Sequence, residues 1–91
     1  MTEIARRAIV SGRVQGVGFR AFARRAAHDA GVRGWVRNLS DGTVETEVEG
    51  EDAAVARYFE RLRRGPLVGS VSSVAEEELP SRGFQGFEIR S

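Results

Sequence analysis

Residues 33–50 read "RGWVRNLSDGTVETEVEG". A short run holding Trp35 and Val36, a turn-forming "LSDG", and a run in which Val44, Thr46 and Val48 alternate with Glu45, Glu47 and Glu49 predict two strands joined by a tight turn. So short a connection makes them an antiparallel hairpin, since parallel neighbours need a long crossover. Alternation this regular predicts a sheet covered on one face and wet on the other, with Glu45, Glu47 and Glu49 in solvent. No His or further acid stands where it would turn these glutamates into a metal site.

Upstream, "IARRAIVS" at 4–11 predicts a first strand. Phe19, Phe22, Ala23, Ala26 and Ala30 then recur at helical spacing, and Gly31 marks the stop. Downstream, "GEDAAVARYFERLRRG" at 50–65 predicts a second helix, with Asp52 as cap, Val55, Phe59 and Leu62 on one face, and Gly65 at the end. "SVSSVAEEEL" at 70–79 is assigned to a strand although Val71 and Val74, three residues apart, do not fit period two. "FQGFEIR" at 84–90 closes the chain with a short strand carrying Phe87 and Ile89. The order predicts one domain over residues 1–91 of the α+β class. Its plan is a ferredoxin-like βαββαβ sandwich, with two helices on one face of an antiparallel sheet and a short extra C-terminal strand.

That fold hosts many unrelated activities, so function has to come from a site. Composition removes several chemistries first. The chain has no cysteine, which excludes disulfides, thiolate catalysis and Cys-type metal centres. All fourteen basic residues are Arg, so no lysine can form a Schiff base or complete a P-loop. A formal charge of +1 gives no bulk attraction to nucleic acid or anionic lipid. With no apolar run of spanning length, a cytoplasmic protein that engages no membrane is expected, and its size favours a monomer.

The remaining signal is "GRVQGVGFR" at 12–20, between the first strand and the first helix. "GVGFRA" at 16–21 matches a dinucleotide fingerprint, but that motif needs a parallel unit whose second strand ends at an acid, and Asp41 lies in a hairpin turn. What survives is a glycine loop before a helix N-terminus, where N–H groups can converge on an anion. Arg20, in the first helical turn, would add a planar donor fork to the same anion. Asn38, at the end of the second strand, suits a turn, and its amide could equally hold a water in a fixed direction beside the loop. Phe19 and Trp35 are expected between sheet and helices, with the wall of the site as the alternative, and Arg13, Arg24, Arg25 and Arg37 on solvated surface, where they could also add positive potential near the mouth. His28, about 12 Å along the helix from Arg20 at 1.5 Å per residue, is expected at the surface.

"VSGRVQGVGFR" at 10–20 and "GWVRNLSDGTVETEVEG" at 34–50 together resemble, without a gap, the two signature segments of the acylphosphatase family. The resemblance extends in element order over essentially the whole chain. It implies hydrolysis of the carboxyl-phosphate bond of small-molecule acyl phosphates, without metal or cofactor. It further implies phosphate binding by the backbone of Gln15, Gly16, Val17, Gly18, Phe19 and Arg20 and by the Arg20 side chain, with Asn38 orienting the attacking water. Inorganic phosphate would then be a product and a competitive inhibitor. Two other readings compete. A non-catalytic anion or single-stranded nucleic-acid binding module lacks the expected sheet-face aromatics, and its three glutamates would repel phosphate. A carbamoyl-phosphate module of a larger transferase would need partner domains.

Overall fold

The computed structural model describes residues 2–91. The chain runs as β1 (Glu3–Arg13), α1 (Phe19–Ala30), β2 (Arg33–Asn38), β3 (Val44–Glu51), α2 (Asp52–Arg64), β4 (Ser70–Leu79) and β5 (Phe87–Arg90). The expected hairpin is β2 and β3, with Trp35 opposite Glu47 and Asn38 opposite Val44. Sheet order is β4-β1-β3-β2-β5, so the two βαβ units interleave as a ferredoxin-like sandwich with the extra strand at one edge. That strand pairs in parallel with β2, Gly34 opposite Phe87 and Arg37 opposite Arg90, which makes the sheet mixed where an antiparallel one was expected.

β4 accounts for the odd valine spacing. Its pairing with β1 shifts register between Ser11, opposite Ser73, and Gly12, opposite Val71, so Ser72 is an extra residue in a bulge. The bulge turns both Val71 and Val74 toward the core, against which each packs. At the start of α2, Asp52 is the first helical residue instead of the cap, and Glu51 holds the cap position without a side-chain bond. An acid in the first turn still complements the helix dipole.

The helix-facing side of the sheet presents Ala8, Val10, Val36, Val44, Thr46 and Val48 to Phe19, Phe22, Ala23, Ala26 and Ala27 of α1 and to Val55, Tyr58, Phe59 and Leu62 of α2, all buried. One polar pair lies inside it. Thr46 Oγ1 donates to the Trp35 carbonyl at 2.8 Å, which uses its only proton, so the Tyr58 hydroxyl 2.8 Å away is the donor to Thr46. Burial pushes the Tyr58 phenol far above its ordinary value, and it stays neutral.

The opposite face corrects the expectation of a wet surface. Glu45 and Glu49 are only 5% and 2% exposed. Glu45 accepts from Arg7 Nε at 2.6 Å and Arg37 Nε at 2.7 Å. Glu49 accepts from the amides of Arg82, Gly83 and Phe84 at 2.9–3.0 Å. Glu47 lies 3.5 Å from Arg82 Nε. Trp35 is on this face too, not between sheet and helices, covered by the guanidinium groups of Arg90 at 4.8 Å and Arg37 at 5.4 Å from the ring centroid. Alternation reports only that two faces differ. It carries no sign that residues 80–86 and a row of arginines fold back over the polar one.

Burial alone would push the Glu45 and Glu49 carboxyls up. Hydrogen bonds outweigh it, from Arg37 and Arg7 in the first case and from the Phe84, Arg82 and Gly83 amides with Ser81 in the second, and hold both below the ordinary 4.5. Groups whose pKa is depressed on folding stabilise the fold above their unfolded value, and that contribution fades as pH falls through the folded one. Stability measured by chemical denaturation is therefore expected to hold from pH 7 to about 5 and to decline below about 4.5. Glu45→Ala should cost about 2 kcal/mol at pH 7, the value of charge-assisted bonds to half-exposed arginines. That gap should close toward pH 3; a gap independent of pH would contradict the assignment.

Candidate active site

β1 ends at Arg13, Val14 turns into the core, and the chain crosses to α1 through Gln15–Gly18. Gly16 (φ 74°) and Gly18 (φ 77°) hold left-handed backbone that disfavours any Cβ, and nothing lies within 4 Å of where one would stand. The loop is thus shaped by backbone requirement and open on its outer side. Phe19, 2% exposed, anchors the first helical turn in the core. Phe22 is the first helical amide to find a carbonyl, that of Gly18 at 3.0 Å. Among the described residues, none of the amides from Gly16 to Ala21 donates to a backbone carbonyl. α1 has no acid in its first turn, so its positive end is uncompensated by the protein.

The side chain of Gln15 has a function that sequence reading missed. Its Nε2 donates to the carbonyls of Leu39 at 2.7 Å and Thr43 at 2.8 Å, which ties the loop to the β2–β3 turn. That turn is itself held by Leu39 N to Thr43 O at 2.9 Å and by Asp41, whose Oδ1 accepts from Thr43 N at 3.0 Å and Oγ1 at 2.6 Å. Asn38, the last residue of β2 and paired with Val44, is therefore held beside the glycine loop.

These elements enclose a cavity of about 250 Å³ lined by Val14, Gly16, Gly18, Phe19, Arg20, Ala21, Asn38 and Ile89. Asn38 Oδ1 is buried and has no hydrogen-bond partner, which is costly unless a ligand or water supplies a donor. Arg20 reaches toward the C-terminal strand, its Nη1 3.3 Å from the Arg90 carbonyl. The structure thus brings Arg20, Asn38 and the loop glycines to one cavity, while Phe19 supports it from below. Ile89, which no sequence signal marked, reaches the wall because β5 lies in parallel beside β2. His28 is exposed and belongs to a separate recess with Arg24, Arg25 and Asp29. Arg13 and Arg37 do not line the cavity, and Arg37 is engaged with Glu45. Among the described residues, no three His, Cys, Asp or Glu side chains gather in a group able to hold a metal ion.

An array of free amides, a helix N-terminus and a guanidinium around one space can bind a tetrahedral oxyanion from several directions. A carboxamide oxygen beside it can accept a hydrogen bond from water. Comparisons with known proteins bear on the family. The acylphosphatase family profile matches residues 6–89. The acylphosphatase of Pseudomonas paraeruginosa is 48% identical over 90 residues, covering 99% of each chain. The crystal structure of acylphosphatase from Bacillus subtilis superposes with a TM-score of 0.93 at 37% identity, covering 97% of this chain and 99% of that one. An acylphosphatase structure from Coxiella burnetii gives the same TM-score at 39% identity, covering 97% and 93%.

Proposed function

The chain belongs to the acylphosphatase family and is an enzyme of that type, and we propose a division of labour among its residues. The amides of Gln15 to Arg20 and the Arg20 guanidinium bind the phosphoryl oxygens of an acyl phosphate. Asn38 Oδ1 accepts a hydrogen bond from the attacking water and aims it at phosphorus, in line with the departing carboxylate. The observation that carries this reading is the buried, unpartnered Asn38 Oδ1 in the same cavity as the loop glycines and Arg20.

The substrate explains why so little equipment suffices. Cleavage at phosphorus releases a carboxylate whose conjugate acid has a pKa of roughly 4, so it leaves without a proton from a general acid. What remains is neutralising the phosphoryl charge and aligning water, which is positioning and electrostatics. Asn38 cannot take the proton of water near neutral pH, so that proton passes to the bound phosphate or to solvent. Inorganic phosphate, the product, fits the same donors and acts as a competitive inhibitor. A cytoplasmic monomer is the proposed state of the enzyme; no helix among the described residues is long and apolar enough to cross a membrane.

The test is phosphate release from an aryl acyl phosphate in the presence of chelator, with a phosphate monoester as control. Rapid hydrolysis of the acyl phosphate alone is expected. Binding of inorganic phosphate without turnover would mean that the loop is an anion sensor and would sink the proposal. His28→Ala is expected to stay within about twofold of wild-type kcat/KM, as for an exposed residue remote from the chemistry. A large loss there would require a proton-transfer step that this division of labour does not contain.

A further inference from the structure

On the polar face of the sheet, Glu49 sits at the end of β3 away from the cavity, opposite Arg33, while Asn38 marks the other end of β2. Five residue steps of strand, from Arg33 to Asn38, separate the two ends, or about 16 Å. A carboxylate this buried needs full compensation, and backbone supplies its hydrogen bonds at close range: Oε1 accepts from Gly83 and Phe84, Oε2 from Arg82, with the Arg33 guanidinium 3.9 Å from Oε1. The chain binds its own anion with consecutive amides, the same device that the glycine loop offers to phosphate.

The held segment leads directly into β5. Arg33 Nε donates to the Phe84 carbonyl at 3.0 Å and Gly34 N to the Gly86 carbonyl at 2.9 Å, and from there Phe87–Arg90 pairs with β2. β5 is four residues long, at the short end of the strand range, so the segment before it adds to what holds it on the edge. β5 in turn supplies Ile89 to the cavity wall and the Arg90 carbonyl to Arg20 Nη1.

We propose that Glu49 is a positioning residue for Arg20. Its carboxylate fixes residues 82–84, these set the place of β5, and the Arg90 carbonyl then orients the guanidinium toward the phosphoryl group. The inference rests on the assignment of Arg20 to phosphate binding. It goes beyond that assignment by making phosphate affinity depend on a side chain that never meets the substrate.

Glu49→Gln keeps the size of the side chain but turns an amide N–H against the Arg82 amide, which breaks the three-donor clamp. KM and the inhibition constant of inorganic phosphate are expected to rise together by about three- to tenfold, with kcat within about threefold. In an Arg20→Ala background, Glu49→Gln should add nothing further to the phosphate inhibition constant. A variant with a lowered Tm but unchanged KM and inhibition constant overturns the inference, as does an equal further rise in the Arg20→Ala background. If Arg20→Ala itself leaves phosphate inhibition unchanged, the assignment of Arg20 fails and the inference with it, so the two failures are separable. Should Glu49→Gln not fold, amide hydrogen exchange on the wild type decides. By reciprocity, saturating phosphate should slow exchange at Arg82, Gly83 and Phe84, and no change there overturns the inference.

Discussion

Arg20→Ala is expected to lower kcat/KM toward acyl phosphates by about three orders of magnitude and to weaken inhibition by inorganic phosphate in parallel. Removing one preorganised donor from a site where charge is stabilised costs about 10²–10³ in rate, and here the lost group also carries a full positive charge. The guanidinium differs from the loop amides in that its planar fork can meet two phosphoryl oxygens at once. It stands in the first turn of α1, a turn that holds no acid, a place mildly unfavourable for a cation until an anion arrives. The fold therefore loses little when the charge is removed, and Tm should change by no more than a few degrees. Arg20→Lys should recover only part of the loss, because an ammonium supplies the charge without the fork. The checks are steady-state kinetics and phosphate inhibition measured side by side. A variant that binds phosphate normally but turns over slowly would assign Arg20 to the transition state alone, and near-normal activity would remove it from the site.

The sequence carried the local parts of this molecule and the plan of its elements, and missed the return of the last residues across the sheet. Helix α1 was legible from its stripe and from Gly31, whose amide closes it by donating to the Ala27 carbonyl at 2.9 Å, because capping and periodicity are written in neighbouring residues. The loop and Asn38 were legible because their residue types at that spacing resemble a known family. Gln15 was read for its backbone alone, since the carbonyls it meets lie 24 and 28 residues away. Ile89, Trp35 and Glu49 were misplaced or overlooked for one common reason. Each depends on how the last ten residues return across the sheet, and a parallel edge strand leaves no turn signal in the sequence to announce its partner. Glu45 and Glu49 alternate with valines as solvent-facing residues would, and only the cover they receive makes them buried.

Asn38→Ala is expected to lower kcat by about 10²–10³ while the inhibition constant of inorganic phosphate stays within about twofold. The two variants thereby separate binding from alignment: Arg20→Ala loses both, Asn38→Ala only the second. Stability makes the assignment sharper. Asn38 Oδ1 is buried and meets no donor of the protein itself, so its removal breaks no hydrogen bond within the fold. Such a change should leave stability within about 1 kcal/mol of wild type, whereas a turn asparagine kept for structure would cost stability when truncated. Chemical denaturation of wild type and variant reads this directly. The pH dependence of kcat should keep its shape in the variant, because a residue that orients water and takes no proton contributes no titration of its own. A destabilised Asn38→Ala with near-normal kcat would return the residue to the turn, and its buried oxygen would then need another explanation than the water it is proposed to aim.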